Sequence, residues 1–416
     1  MTREATIQLL AENGSLTRAE LARRIGVSRA AMSMTVSRLL EEGLVVESFS
    51  EGADDLRGES GTAPGVPLSL LPGAAGAVGV DFAHQGIRVV VADIAHNVLA
   101  EDSRELPLDY DAREAITLAA NLVRDLLDES GMDSSRLLGV GVGVPGPVDQ
   151  SEGCPTPSSI SASWVGRPVA EELAEQIKLP VLLDNNVNLG ALAEVVWGAG
   201  KGLSDVIYVK VSTGIGAGIV LDGRLWRGAA GMAGEIGHMT MDESGPMCRC
   251  GNRGCLEVYV GLAAQLDLLR PVFGAELTAD KVLELAVGGD GRCRRVFADV
   301  GRALGQALAN VCNIVNPAAI VLGGELTTVF DLVAGPVREA IGRYALHLAA
   351  TSVQIVPSQL GARAEALGGV ALVFHERSIL EKSSRGTVHV AGAIHLDKLA
   401  EVSATKSSVA SKATNS

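Results

Sequence analysis

GEIGHMTMDESGPMCRCGNRGCLE, residues 234–257, carries Glu235, His238, Cys248, Cys250, Cys255 and Glu257 in one short stretch. Three of the chain's six cysteines fall here, spaced closely around Gly251 and Gly254. In a reduced protein, thiolates clustered in this way serve to bind a metal. His238 supplies a fourth ligand, and a His/Cys3 set is of the closed tetrahedral kind that holds structural zinc. The glycines permit the tight turn through which Cys250 and Cys255 converge. The alternative is three buried or free thiols beside a surface histidine, but CxCGxxGC has little use as a packing pattern. Glu235 and Glu257 flank the knot, and carboxylates on a rigid frame are well-placed acceptors for polyol hydroxyls.

The 416 residues allow two or three domains. Hydrophobic residues make up 47% and aromatics only 3%, so the cores must be built of Leu, Val, Ile and Ala. There is no run of eighteen apolar residues, no signal-peptide pattern and no disulfide framework, which together predict a cytoplasmic chain with no membrane partner. A net charge of −14 excludes bulk affinity for nucleic acid but leaves room for a small basic module.

TRAELARRIGVSRAAMSMTVSRLLEEGLVV, from Thr17, fits that module. Thr17 and Glu20 form a capping-box pattern, and Leu21, Ala22 and Ile25 stripe a short helix. Gly26 permits a sharp turn, and Ser28 caps a second helix through about Leu40, with Met32, Val36 and Leu39 inward. Residues 7–11 supply a supporting first helix. Helix, glycine turn, helix is the helix-turn-helix pattern. Arg18, Arg23, Arg24, Arg29 and Arg38 stand against the single acid Glu20, a concentration of charge suited to DNA phosphates. The outward side chains Ser28, Arg29, Ala30, Ser33, Thr35 and Ser37 are small or hydrogen-bonding and let a helix seat deeply in the major groove. A small helical interaction module with solvated Arg is the alternative. Residues 43–47 and 66–70 read as wing strands, with a polar, Gly-rich wing tip or linker over 50–64.

From Ala77, near-continuous Val/Ile/Leu strands alternate with helices, which indicates an α/β fold with buried sheets. Hairpin-like pairs open each half (78–82 with 87–94; 206–211 with 216–221), a weak internal repeat. GExGH followed by CxCGxxGCxE resembles the zinc signature of the ROK family (repressors, open reading frames and kinases), and the resemblance spans roughly residues 5–375. It implies a two-lobed actin/Hsp70/sugar-kinase-like domain with a ligand cleft between the lobes. It also implies structural zinc on His238, Cys248, Cys250 and Cys255, and sugar hydroxyls on Glu235 and Glu257 with His238 close by. The expected division is a winged helix-turn-helix with wing and linker over 1–72, the kinase-like domain over 73–375, and a Ser/Ala/Lys-rich tail over 376–416 expected to be disordered. Related regulators often carry Gly-Arg-Pro in the wing; this chain has Gly65-Val66-Pro67.

Three places bear on phosphoryl transfer. Kinases of the family carry Asp-x-Gly-Gly-Thr to cradle phosphates, whereas Asp81 is followed by Phe82-Ala83-His84-Gln85-Gly86. Side chains at Ala83 and His84 would crowd the backbone approach that phosphates require. The kinase catalytic loop ends Glu-Asn-Asp-Ala-Asn; here it reads Asp184-Asn185-Asn186-Val187-Asn188. Asn185 matches the sugar-binding Asn, and the catalytic Asp falls on Asn186, which can bind a hydroxyl but cannot take its proton. Asp184 lies two residues early, about 6–7 Å away in extended chain. Residues 212–218 resemble the second phosphate loop and Gly323-Gly324 the adenosine-side glycines, but inherited hairpin and strand–helix turns explain them better, since a Gly-rich turn alone is a weak signal.

The expectation is a sugar-responsive repressor without catalysis. Its partners are an inverted-repeat operator and a sugar or sugar phosphate, and its assembly is a homodimer or dimer of dimers. The alternatives are a sugar kinase with an appended DNA-binding domain, and a regulator whose cleft binds a partner protein.

Overall fold

The computed structural model describes residues 2–47, 65–108, 110–149, 152–156 and 163–376. The wing tip expected over 50–64 and the tail beyond 376 lie outside the described residues.

The chain opens with α1 (Thr2–Asn13), β1 (Ser15–Thr17), α2 (Arg18–Ile25), α3 (Arg29–Glu41), β2 (Val45–Glu47) and β3 (Pro67–Leu70). Thr17 accepts from the Glu20 amide at 3.3 Å, and the Glu20 carboxylate accepts from the Thr17 amide at 2.8 Å, closing the capping box. Gly26 ends α2 in the left-handed region, φ 76°, and Ser28 caps α3. The strands pair antiparallel in the order β1-β3-β2. Leu10, Leu21, Met32, Val36, Leu39 and Leu68 form the core beneath them. α1 starts five residues before the first expected residue, Ile7. Thr6 explains the difference: it is fully buried and donates back to the Thr2 carbonyl at 2.7 Å, a polar residue inside the apolar stripe.

The first lobe contains β4 (Gly76–Ala83), β5 (Gly86–Asp93), β6 (Val98–Glu105), α4 (Ala112–Ser130), β7 (Leu137–Val144), β8 (Val148–Asp149), β9 (Cys154–Pro155), α5 (Val169–Ile177), β10 (Val181–Asn185) and α6 (Asn186–Val196). Its main sheet has the order β10-β7-β4-β5-β6. The second lobe contains β11 (Val206–Val211), β12 (Ile215–Leu221), β13 (Arg224–Leu225), α7 (Glu257–Val260), α8 (Leu262–Phe273), α9 (Ala279–Val287), α10 (Gly291–Val315), β14 (Ala319–Gly324), α11 (Phe330–Tyr344), α12 (His347–Ser352) and β15 (Gln354–Pro357). Its sheet has the order β13-β12-β11-β14-β15. In both lobes an antiparallel hairpin (β4–β5, β11–β12) is joined by a parallel strand (β7, β14), which is the repeat anticipated from sequence.

The last described helix, α13 (Ala364–His375), returns to the first lobe and packs with α6 over its sheet. The approach is backbone to backbone. A Cβ on Gly79 would sit 1.7 Å from the Ala366 carbonyl, and one on Gly141 2.0 Å from the Gly369 carbonyl. At its far end Phe374 packs against the winged-helix core together with Ala75, Ile94 and Leu138, so the two domains share a joint. His96 packs behind Phe374, its ring 4.7 Å from Trp197 and 6.0 Å from Phe374. No helix among the described residues is long and apolar enough to cross a membrane.

Candidate functional site

His238 ends a short 3-10 turn, Ile236–His238, and the three cysteines follow on a loop pinned by bridges Thr240–Cys255 and Met247–Arg253. Gly254, at φ 60°, is required there, since a Cβ would lie 1.7 Å from the Asp242 carbonyl. The ligand atoms of His238, Cys248, Cys250 and Cys255 all lie within 4.8 Å of one another. Cys248 Sγ is 3.7 Å from His238 Nδ1, and Cys250 Sγ is 3.6 Å from Cys255 Sγ. A tetrahedron with metal–sulfur bonds of ~2.3 Å has edges near ~3.8 Å, so the set fits one tetrahedral ion.

His238 faces both ways. Nδ1 belongs to the knot, while Nε2 stands 4.0 Å from Glu235 Oε2 at the cleft wall. Burial, reinforced by Glu257 and opposed by Arg249, pushes Glu235 up to about 7. Glu257 opens α7 and is buried. Arg249 grips it, with Nε donating to Oε1 at 2.8 Å and Nη2 to Oε2 at 2.9 Å. A cavity of about 650 Å³ lies between the lobes, lined here by Asn185, Asn186, Glu235, His238 and Arg249. Glu257 is not among its lining residues, so in this state it meets the cavity through Arg249. Sequence reading missed Arg249 because a side chain between two cysteines carries no pattern of its own.

Asn185 accepts from the Val187 amide at 2.7 Å and so caps α6, which leaves its NH2 group for a ligand. Asn186 lies beside Asp81 on the cleft floor, where its side chain favours the charged carboxylate. Asp184 is buried and fully engaged. Oδ1 accepts from the Asn185 amide at 2.7 Å and Asn188 Nδ2 at 2.8 Å, and Oδ2 from Arg227 Nε at 2.6 Å.

Deeper in the cleft, Ala83–Gly86 make a tight hairpin whose His84 and Gln85 line the cavity. Lys210 is held by Glu365 at 2.8 Å, and Ser212 Oγ donates to Glu325 at 3.1 Å. Asp81 Oδ1 and Glu325 Oε2 are buried without a partner among the described residues. Burial raises Asp81 to about 7; Lys210 opposes the shift and Glu365 adds to it. Glycines of the second loop and of the adenosine side have packing reasons. A Cβ on Gly218 would meet the Val187 carbonyl at 2.5 Å, and one on Gly323 the Tyr208 hydroxyl at 2.3 Å.

On α3, Ser28, Arg29, Ala30, Ser33, Ser37 and Arg38 are exposed, while Thr35 is half-buried and donates to the Ala31 carbonyl at 3.1 Å. Arg24 is exposed and donates to Asn13 at 2.7 Å. Arg18 is half-buried in an ion pair with Glu47 at 2.7 Å, so the wing partly neutralises it. Met34, 66% exposed, stands on the same helix and was missed because it falls between the inward Met32 and Val36.

A winged helix joined to a two-lobed α/β domain with a His/Cys3 knot beside the cleft defines the class, and the chain belongs to the ROK family, whose model matches residues 77–376. A MarR family model matches residues 5–54. The chain is 30% identical to the xylose repressor of Bacillus subtilis over 364 residues, 87% of this chain and 92% of that one. It is 33% identical to the glucokinase of Halalkalibacterium halodurans over 327 residues, 74% of this chain and 97% of that one. Among solved structures, a ROK family transcriptional regulator described as a homolog of E. coli MLC superimposes with a TM-score of 0.75. That match has 22% identity and covers 92% of this chain and 98% of that one.

Proposed function

We propose that this protein is a sugar-responsive transcriptional repressor that performs no phosphoryl transfer. The carrying observation is the pairing, in one chain, of an exposed α3 face with a sugar-type cleft whose proton-accepting position is Asn186. A carboxamide cannot act as a general base, and Asp184 cannot substitute while Arg227 and two amide donors occupy its oxygens. The phosphate corner argues the same way. Lys210 is already held by Glu365 at 2.8 Å, and His84 and Gln85 stand in the turn where kinases leave bare glycine backbone for phosphate.

In this reading residues 1–72 bind operator DNA, 73–375 sense the ligand, and 376–416 are a tail. Asn185, Asn186, Glu235 and His238 hold a sugar or sugar phosphate, with Glu257 acting through Arg249. Zinc on His238, Cys248, Cys250 and Cys255 fixes the wall that carries Glu235, as supporting carboxylates and metal ligands do elsewhere. Arg24, Ser28, Arg29, Ala30, Ser33, Thr35, Ser37 and Arg38 face the duplex, with Arg18 behind them. The repressors among its relatives support operator DNA as the partner, and a protein that reads it belongs in the cytoplasm. One winged helix reads too few base pairs to select a site, so a homodimer or dimer of dimers on an inverted repeat is expected.

The experiment is a thermal-shift screen of hexoses, pentoses, N-acetylhexosamines and their phosphates, followed by gel shifts with each stabilising ligand. The expected result is a ligand that weakens DNA binding and is not phosphorylated in an ADP-release assay. Saturable ATP-dependent turnover on any of these sugars would establish the kinase reading instead.

A further inference from the structure

Arg227 sits where three segments of the fold meet, the ends of β10 and α13 and the stretch leading to Glu235. It follows β13 in the second lobe, and its carbonyl accepts from the Ala233 amide at 3.1 Å, in the segment that leads to Glu235. Its guanidinium leaves that lobe. Nε donates to Asp184 Oδ2 at 2.6 Å, at the end of β10 in the first lobe, and Nη1 lies 3.6 Å from Glu376 Oε1 just past α13. Asp184 is 1% exposed, and its other oxygen holds the Asn185 amide, so the ion pair grips the base of the loop that presents Asn185 and Asn186. Glu376 lies two residues beyond Phe374, which packs into the joint with the winged helix.

We propose that Arg227 is the positioning residue that carries ligand binding to the DNA-binding domain, by tying the Asn185–Asn186 loop and the Glu235 segment to the end of α13. The inference rests on the sugar-responsive reading above. A sugar held by Asn185 and Asn186 from one lobe and by Glu235 from the other moves the two segments that Arg227 joins. A buried ion pair of good geometry resists separation, since either charge left alone is strongly disfavoured. The segments therefore move with the guanidinium, and its free arm displaces Glu376 and the end of α13. Asp184 and Arg227 thus act in coupling rather than in chemistry.

Glu376→Gln tests the link without disturbing the buried pair, because Glu376 is 27% exposed and touches neither ligand. The probes are D-xylose, D-glucose, N-acetyl-D-glucosamine and their phosphates, with a duplex selected by this protein from a random pool. The variant should bind the stabilising sugar, and the duplex without sugar, within about twofold of wild type. The sugar-induced change in duplex affinity, typically about 5- to 150-fold in coupled systems, should fall toward one. Arg227→Met should show the same loss, and Arg227→Lys, which keeps the charge but not the fork, should recover part of it. A responsive wild type with an equally responsive Glu376→Gln variant overturns the inference alone. A wild type whose DNA binding ignores these probes and every ligand of the wider screen overturns the regulator reading, and this inference with it.

Discussion

The knot's cysteines differ in exposure, with Cys248 and Cys255 buried and Cys250 exposed, which makes Cys250 the ligand to remove without opening the core. Freshly reduced protein should carry about one zinc per chain, and Cys250→Ser should lose the metal, lower the melting temperature and weaken sugar binding. Metal analysis by mass spectrometry with thermal melts checks this, and a metal-free wild type of undiminished stability would contradict it. Asp81 makes a second case. Its carboxyl, with an ordinary value of 3.8, is raised to about 7 in the fold. The folded state therefore binds the proton more tightly than the unfolded one, and stability falls as pH rises across that window. Asp81→Asn removes the ionisable group, so its stability relative to wild type should increase between pH 5 and pH 8 in urea unfolding.

Elements announced themselves in the sequence to the degree that local rules set them. α2 and α3 were legible because Thr17, Glu20, Gly26 and Ser28 act within a few residues of themselves, and β4, β5, β7 and β11 because burial on both faces leaves unbroken apolar runs. β6 was not, since an edge strand reading VLAEDSRE exposes most of its polar residues. Contacts set by the tertiary fold were invisible. Arg249 on Glu257, Arg18 on Glu47 and Arg227 on Asp184 involve residues 8, 29 and 43 positions apart, and no spacing predicts them. The His/Cys3 cluster lay at the other extreme, its four side chains within one stretch. The α3 face supplies a prediction of its own. Arg29→Ala should weaken binding to all duplexes and reduce the slope of log affinity against log salt by about one. Met34→Ala should act at one base-pair position, because an apolar side chain can read a thymine methyl. Fluorescence anisotropy across salt concentrations and base-substituted duplexes separates the two.

At the level of the whole molecule, the winged helix and the sensing domain meet over Phe374; His96 packs behind that ring with φ 67°, and burial depresses it to about 4. His375 and Lys201 push in the same direction and Asp93 opposes them. A depressed histidine contributes stability that is present above its ordinary value of 6.5 and lost as pH falls through 4. Acid should therefore loosen the packing of His96 behind Phe374. His96→Asn, which tolerates a positive φ, should flatten the acid limb of the melting curve. A second consequence comes from the joint's membership. The winged helix is complete by Leu70, yet Phe374, which seals it to the rest, belongs to the last described helix. A ribosome moving at ~5–20 residues per second needs roughly 15–60 s to cover that interval. For that time the winged helix lacks the contact through which we propose that a sugar acts on it. A message truncated before α13 should therefore yield a chain whose winged helix no longer answers to sugar.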